Sequence, residues 1–172
     1  MGRTAVIVPV PEAEPLVGRW REVHDHSAVN GAPAHVTLLV PFVPTEEFGV
    51  AVPLLREVLA GVRRTRFVLT HVGVFPHVSW LAPEPASSFR DLTTRLMAAF
   101  PGCVPYGGAH RQVVPHLTVI DGTRLDVSAE VHLAFAREAD AVLPIEAELA
   151  EVQVLAQDDH GRWARHASIP FA

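Results

Sequence analysis

The chain contains no lysine; all 14 of its basic residues are arginine. A phosphate-cradling loop needs a lysine after its second glycine, and a Schiff-base enzyme needs a lysine amine. A ligase working through a lysyl-adenylate needs the same group. All three classes are excluded. Cysteine is almost as scarce, and the single Cys103 rules out an intramolecular disulfide and a cysteine-rich zinc module. Neither H-E-x-x-H nor a Cys/His cluster is present, which disfavours a His-rich metal hydrolase. Excess positive charge is also missing. A net charge of −5 argues against affinity drawn from tracking a long phosphate backbone, and leaves small or terminal nucleotides as partners. No apolar run approaches the length of a membrane span, and no charged-then-apolar leader precedes the first apolar strand. A cytoplasmic protein without a membrane partner is expected.

What the chain does have is a doubled pattern. His35-Val36-Thr37-Leu38-Leu39 and His116-Leu117-Thr118-Val119-Ile120 each set a histidine and a threonine two residues apart on an apolar strand. Side chains alternate faces along a strand, so each His and its Thr point the same way while Val36 and Leu117 point behind the sheet. Two such strands facing one another would gather two imidazoles and two hydroxyls around one cleft. With ten His in 172 residues, chance supplies about half of one such motif, so two copies in matching apolar contexts carry weight. The looser His-x-Ser also occurs at His77 and at His166, so a further criterion is needed.

An internal repeat supplies it. Val6-Ile7-Val8-Pro9-Val10-Pro11 is a β-branched run closed by Pro-x-Pro, and Val78-Ser79-Trp80-Leu81-Ala82-Pro83-Glu84-Pro85 repeats the arrangement. Each is followed by a helical stretch, a loop, an H-x-T strand and a second helix. The repeat covers approximately residues 3–72 and 77–157, with about seven extra loop residues within 101–110. Under this alignment His77 and His166 have no motif counterpart. They are expected, with His71 and His110, to be packing or surface residues.

Periodicity predicts strands over 4–9, 35–42, 66–72, 78–81, 115–120, 145–157 and 162–171, and helices over 12–26, 46–62, 87–100 and 128–139. Thr45 offers a helix N-cap, and Pro53 a kink or a fresh start. Asp158-Asp159-His160-Gly161 reads as a hairpin loop. His24-Asp25-His26 is read as a solvated helix end rather than a metal site, because residues two apart on a helix diverge. Trp20, Trp80 and Trp163 are read as packing residues. At 49% apolar and 19% charged, the chain can bury one good core.

The two H-x-T segments, half a chain apart, resemble the paired signature of the 2H phosphoesterase superfamily, and most closely its bacterial 2′-5′ RNA ligase-like and cyclic phosphodiesterase branch. The likeness extends to the opening strand with Pro-x-Pro, Pro41-Phe42 after the first motif, Leu81-Ala82-Pro83-Glu84-Pro85, and Pro115 before the second. It implies an α+β fold of two similar lobes, with antiparallel sheets flanking a central cleft, spanning residues 1–172 as one bilobal domain. It also implies action on a nucleotide or RNA end that bears a cyclic phosphate, with a 2′-phosphate as product; a monomer that needs no cofactor or metal is expected.

The side chains suit that chemistry. Opening a cyclic phosphodiester needs a base for water and an acid for the departing ribose oxygen. Imidazole serves as either near neutral pH. His35 and His116 are the candidate pair, with Thr37 and Thr118 as donors to the phosphorane oxygens. Phe42 and Tyr106 are candidates for contact with a base. The residues alone leave open a module of the same fold that binds a nucleotide or RNA end without turnover.

Overall fold

Two four-stranded antiparallel sheets make up the core of the computed structural model, which describes residues 2–108 and 113–172. His110 lies outside the described residues. In chain order the elements are β1 (Thr4–Pro9), α1 (Glu14–His24), α2 (His26–Val29), β2 (His35–Leu39), α3 (Phe48–Leu59), β3 (Thr65–Phe75), β4 (Val78–Glu84), α4 (Ala86–Ala99), β5 (Leu117–Asp121), α5 (Ala129–Val142), β6 (Ile145–Leu149), β7 (Glu151–Gln157) and β8 (Trp163–Pro170). Short 3-10 turns occupy Pro11–Ala13, Thr45–Glu47 and Pro105–Gly108. The fold class is the expected one, α+β with paired antiparallel sheets.

Strand order is β2-β1-β7-β8 in the first sheet and β5-β4-β3-β6 in the second. Each H-x-T strand therefore lies at an edge, beside the opening strand of its half. In both pairs the register shifts just past the threonine: Ile7 pairs with Thr37 but Val6 with Leu39, and Trp80 pairs with Thr118 but Ser79 with Ile120. Such a shift increases local twist and re-aims side chains, and is a common device beside functional sites. The third strand of each sheet comes from the other half of the sequence, since β7 joins β1 and β3 joins β4. The expected strand region at 145–157 thus divides at Ala150, where the chain passes from one sheet to the other.

The apolar face of each sheet feeds one continuous core that runs from Val6, Val8 and Val36 through Leu55 and Phe67 to Leu117 and Phe135. Aromatic edge-to-face pairs reinforce it, with Phe67 against Phe89 at 5.0 Å and Phe42 against Phe100 at 4.9 Å between ring centroids. Pro53 sits inside α3 without ending it. Thr45 opens a 3-10 turn, and its side chain makes no cap bond to the backbone. The single helix expected over 12–26 is interrupted at Asp25, whose extended backbone (φ −123°, ψ 110°) frees its carboxylate to cap α2 by accepting from the Ser27 N–H.

Gly73 on β3 faces Trp80 on β4, and the indole lies across the glycine. A Cβ there would occupy the space of the ring. Gly73→Ala is expected to destabilise the fold by about 1–3 kcal/mol through overpacking. Urea denaturation read by tryptophan fluorescence measures that cost.

Candidate active site

Alternation along the two edge strands places the four motif side chains. Val36 and Leu117 are fully buried at 0% exposure, while His35, Thr37, His116 and Thr118 stay half-buried on the opposite face. Strands β2 and β5 contact one another, so these faces meet. All four residues line one cavity of about 300 Å³, which also receives Tyr106, Arg3 and Arg124.

The two imidazoles are held alike. His35 Nδ1–H donates to the Pro33 carbonyl at 2.6 Å, and His116 Nδ1–H donates to the Val114 carbonyl at 2.7 Å. In both, the acceptor lies two residues earlier in the chain. A carbonyl can only accept, so Nδ1 carries the proton and Nε2 carries the lone pair when the ring is neutral. Their surroundings differ. Burial, the charge of Arg21 and, to a smaller extent, His116 push the His35 pKa down to about 4, against the opposing pull of the Pro33 carbonyl and Asp25. His116 sits among aromatic rings, with Phe75 at 5.1 Å, Trp80 at 5.8 Å and Tyr106 stacked on it at 6.4 Å.

Beside the motif cavity, which Asp25 itself lines, lies a buried ion pair. Arg21 is 2% exposed and Asp25 3% exposed, and Arg21 Nη2 reaches Asp25 Oδ2 at 2.9 Å. Arg21 Nε also donates to the Thr118 carbonyl at 3.2 Å, and Nη1 to the Ala32 carbonyl at 3.4 Å. The Asp25 carboxylate accepts from the Ser27 hydroxyl and N–H, both at 2.9 Å. The other lobe has a counterpart: Thr93 on α4 donates to the Leu38 carbonyl, one residue past Thr37, at 3.2 Å. Arg21 and Thr93 were not singled out in the sequence. The i,i+4 spacing of Arg21 and Asp25, and the place of Thr93 four residues after Phe89 on an inward stripe, were the available signals.

Several expectations need correction. Phe42 is 5% exposed and packed between Phe48 and Phe100, so it belongs to the core and does not reach the cavity. Asp25 is not a solvated helix end, because its charge is consumed by Arg21. Trp163 does more than pack, since it lines the motif cavity together with His26. Tyr106 lines that cavity and also an adjoining apolar one of about 530 Å³, bounded by Phe75, Val78, Val113 and Val114. His77 turns the β3–β4 hairpin and His166 packs on Phe48; neither lines the motif cavity. Among the described residues, no group of three His, Cys, Asp or Glu is placed to hold a metal, and no helix is long and apolar enough to cross a membrane.

Comparison with known proteins places the chain in a family and its fold among solved structures. Residues 9–161 match the family model of the 2′-5′ RNA ligase superfamily. No curated protein sequence matches the chain. Among solved structures, Escherichia coli LigT complexed with 3′-AMP is similar at TM-score 0.66 and 18% identity, over 99% of this chain and 98% of that one. TT0787 of Thermus thermophilus is similar at 0.66 and 18%, over 98% and 97%. A protein described as a phosphoesterase is similar at 0.61 and 19%, over 99% and 98%. At such identities the likeness establishes the shared fold.

Two outcomes follow from the buried pair. Arg21→Met leaves the Asp25 carboxylate buried without its partner, and is expected to cost about 3–5 kcal/mol in urea unfolding. His35 adds a pH dependence. Unfolded, it takes up its proton near 6.5; folded, only near 4. Its contribution to stability is therefore complete above about pH 6.5 and is lost progressively as the pH falls to about 4. Urea midpoints measured across that window, in the native chain and in His35→Gln, isolate this part of the acid sensitivity.

Proposed function

Because the chain belongs to the 2′-5′ RNA ligase superfamily of 2H phosphoesterases, we propose that it hydrolyses 2′,3′-cyclic phosphodiesters of nucleotides or RNA ends without a metal, with His35 as general base and His116 as general acid. The same site is open to a reversible 2′-5′ ligation, in which an RNA 5′-hydroxyl takes the place of water. One observation carries the reading: two imidazoles, each fixed through Nδ1 by a carbonyl two residues back, share one cavity with the two motif hydroxyls. Structures of LigT with 3′-AMP, ATP and NADP+ support a nucleotide as the occupant.

The steps follow from the environments. His35, pushed down to about 4, is neutral at pH 7 and accepts the proton of the attacking water. The water oxygen bonds to phosphorus opposite the ribose O3′. As the P–O3′ bond breaks, His116 supplies the proton that makes O3′ a hydroxyl, and the phosphate stays on O2′. Thr37 and Thr118 donate to the non-bridging oxygens as charge builds on them. Arg3 and Arg124 line the same cavity and add positive potential for the anion. When an RNA 5′-hydroxyl replaces water, the same transfers form a 2′-5′ linkage. Tyr106 offers an aromatic face to a base at the junction with the apolar cavity. The protein acts as a cytoplasmic monomer in this reading.

Incubation with a panel of 2′,3′-cyclic nucleotides and cyclic-phosphate-ended oligonucleotides, with products identified by phosphorus NMR, tests the proposal. Turnover to the 2′-phosphate, undiminished by EDTA, is expected. Binding without turnover would identify a nucleotide-binding module instead, and loss with EDTA reversed by a divalent ion would identify a metal hydrolase. His35→Ala and His116→Ala are each expected to lower turnover by about 10²–10⁴-fold, and each Thr→Ala by about 10-fold. The double His variant should lose less than the two single losses combined. On the acid side, kcat/KM should fall as the pH drops through about 4, where His35 gains its proton. His77→Ala and His166→Ala should retain normal turnover.

A further inference from the structure

Tyr106 occupies a conformation that its residue type does not favour. Its backbone lies in the left-handed region at φ 53°, ψ 29°, where a bulky L-residue is strained, and Gly107 follows at φ 62°. The strain is held by main-chain bonds: Tyr106 N–H donates to the Val40 carbonyl at 2.6 Å, and Gly107 N–H to the Val104 carbonyl at 2.9 Å. The result is that one side chain reaches both motifs. The phenol oxygen hydrogen-bonds to the side chain of Thr37, in the first motif. The ring stacks on His116, in the second, at 6.4 Å and 20° between planes. Tyr106 also packs against the small apolar cluster of Ala5, Ile7, Ala32, Val40 and Leu155.

We propose that Tyr106 is the positioning residue that joins the two His-x-Thr strands into one working site, fixing the Thr37 hydroxyl through its phenol oxygen and the His116 ring through its aromatic face. The role of the site itself rests on the function proposed above. A Thr hydroxyl rotates freely unless something sets it. With the phenol kept protonated by its burial, its O–H donates to Thr37 Oγ and leaves the single proton of that hydroxyl free for the phosphate. A stacked aromatic face attracts a cation, so the ring also favours the protonated form of His116 that an acid requires. Other charged and titratable groups share or border the cavity with His116: His35 on β2, Asp25 and His26 where α1 meets α2 with Arg21 bonded to Asp25, Asp121 at the end of β5, Arg3 and Arg124, and His71 next to Trp80. A substitution of Tyr106 alone leaves the identity of each of these groups unchanged.

Two substitutions separate the two contacts. Tyr106→Phe keeps the ring and loses the phenol; Tyr106→Leu loses both. With 2′,3′-cyclic nucleotide as substrate, Tyr106→Phe is expected to lower kcat about 10-fold, with KM and the pH profile unchanged. Combined with Thr37→Val it should lose nothing beyond the larger single effect, because both substitutions break the same bond. Tyr106→Leu is expected to move the alkaline limb of the profile, and the NMR titration midpoint of His116 in the ligand-free protein, down by about half a pH unit. An unmoved His116 midpoint in Tyr106→Leu, or additive losses in Tyr106→Phe with Thr37→Val, would overturn the proposal. The NMR titration needs no turnover. A chain inactive on every cyclic phosphate would thus sink the proposed function while the Tyr106–His116 contact is still judged by its own readout. If Tyr106→Leu does not fold, Tyr106→Phe and the double variant decide the matter.

Discussion

An edge strand leaves a row of backbone donors and acceptors without a sheet partner, and both H-x-T strands are edge strands. This constraint shapes the middle of the molecule. A half-buried edge cannot hand its carbonyls to bulk water without losing the closed floor that the site requires. Each lobe therefore lends the other a side chain. Arg21, from the helix between β1 and β2, bonds the Thr118 carbonyl of β5; Thr93, from the helix between β4 and β5, bonds the Leu38 carbonyl of β2. The guanidinium is the costlier solution, since burying it demands a buried carboxylate, and Asp25 must leave the helix to provide one. The break between α1 and α2 follows from that demand.

The two histidines are unequal in their surroundings although their local sequences match. The first lobe sends a cation across the junction, the second a neutral hydroxyl. His35 is held low first by its burial and then by the field of Arg21. His116 stands among three aromatic rings. Near-symmetry of backbone with asymmetry of surroundings is the arrangement that base–acid chemistry calls for, because the two groups must hold different protonation states at one pH.

Much of this was legible in the sequence, for reasons tied to particular residues. The H-x-T strands declare themselves because burial of Val36 and Leu117 forces period-two alternation on their neighbours, and the Pro-x-Pro punctuation marks the opening strand of each half. What could not be read are features set by distant partners. Phe42 has the composition of a binding aromatic, and only the positions of Phe48 and Phe100 show that it fills the core. Asp25 looks like a polar helix end until Arg21 is seen to be buried beside it. The apparent strand region at 145–157 changes sheet at Ala150, a residue with no turn signature, because Leu149 and Val152 pair with strands of different lobes.

That crossing at Ala150 has a consequence for how the molecule is made. The second sheet is drawn wholly from residues 65–149, a continuous stretch of chain. The first is drawn from the two ends, with β1 and β2 waiting for β7 and β8. On a ribosome every strand of the second sheet is available once β6 has emerged, whereas β1 and β2, with the helices between and after them, lack their sheet partner until β7 follows. His116 would thus stand on a finished sheet before His35 does.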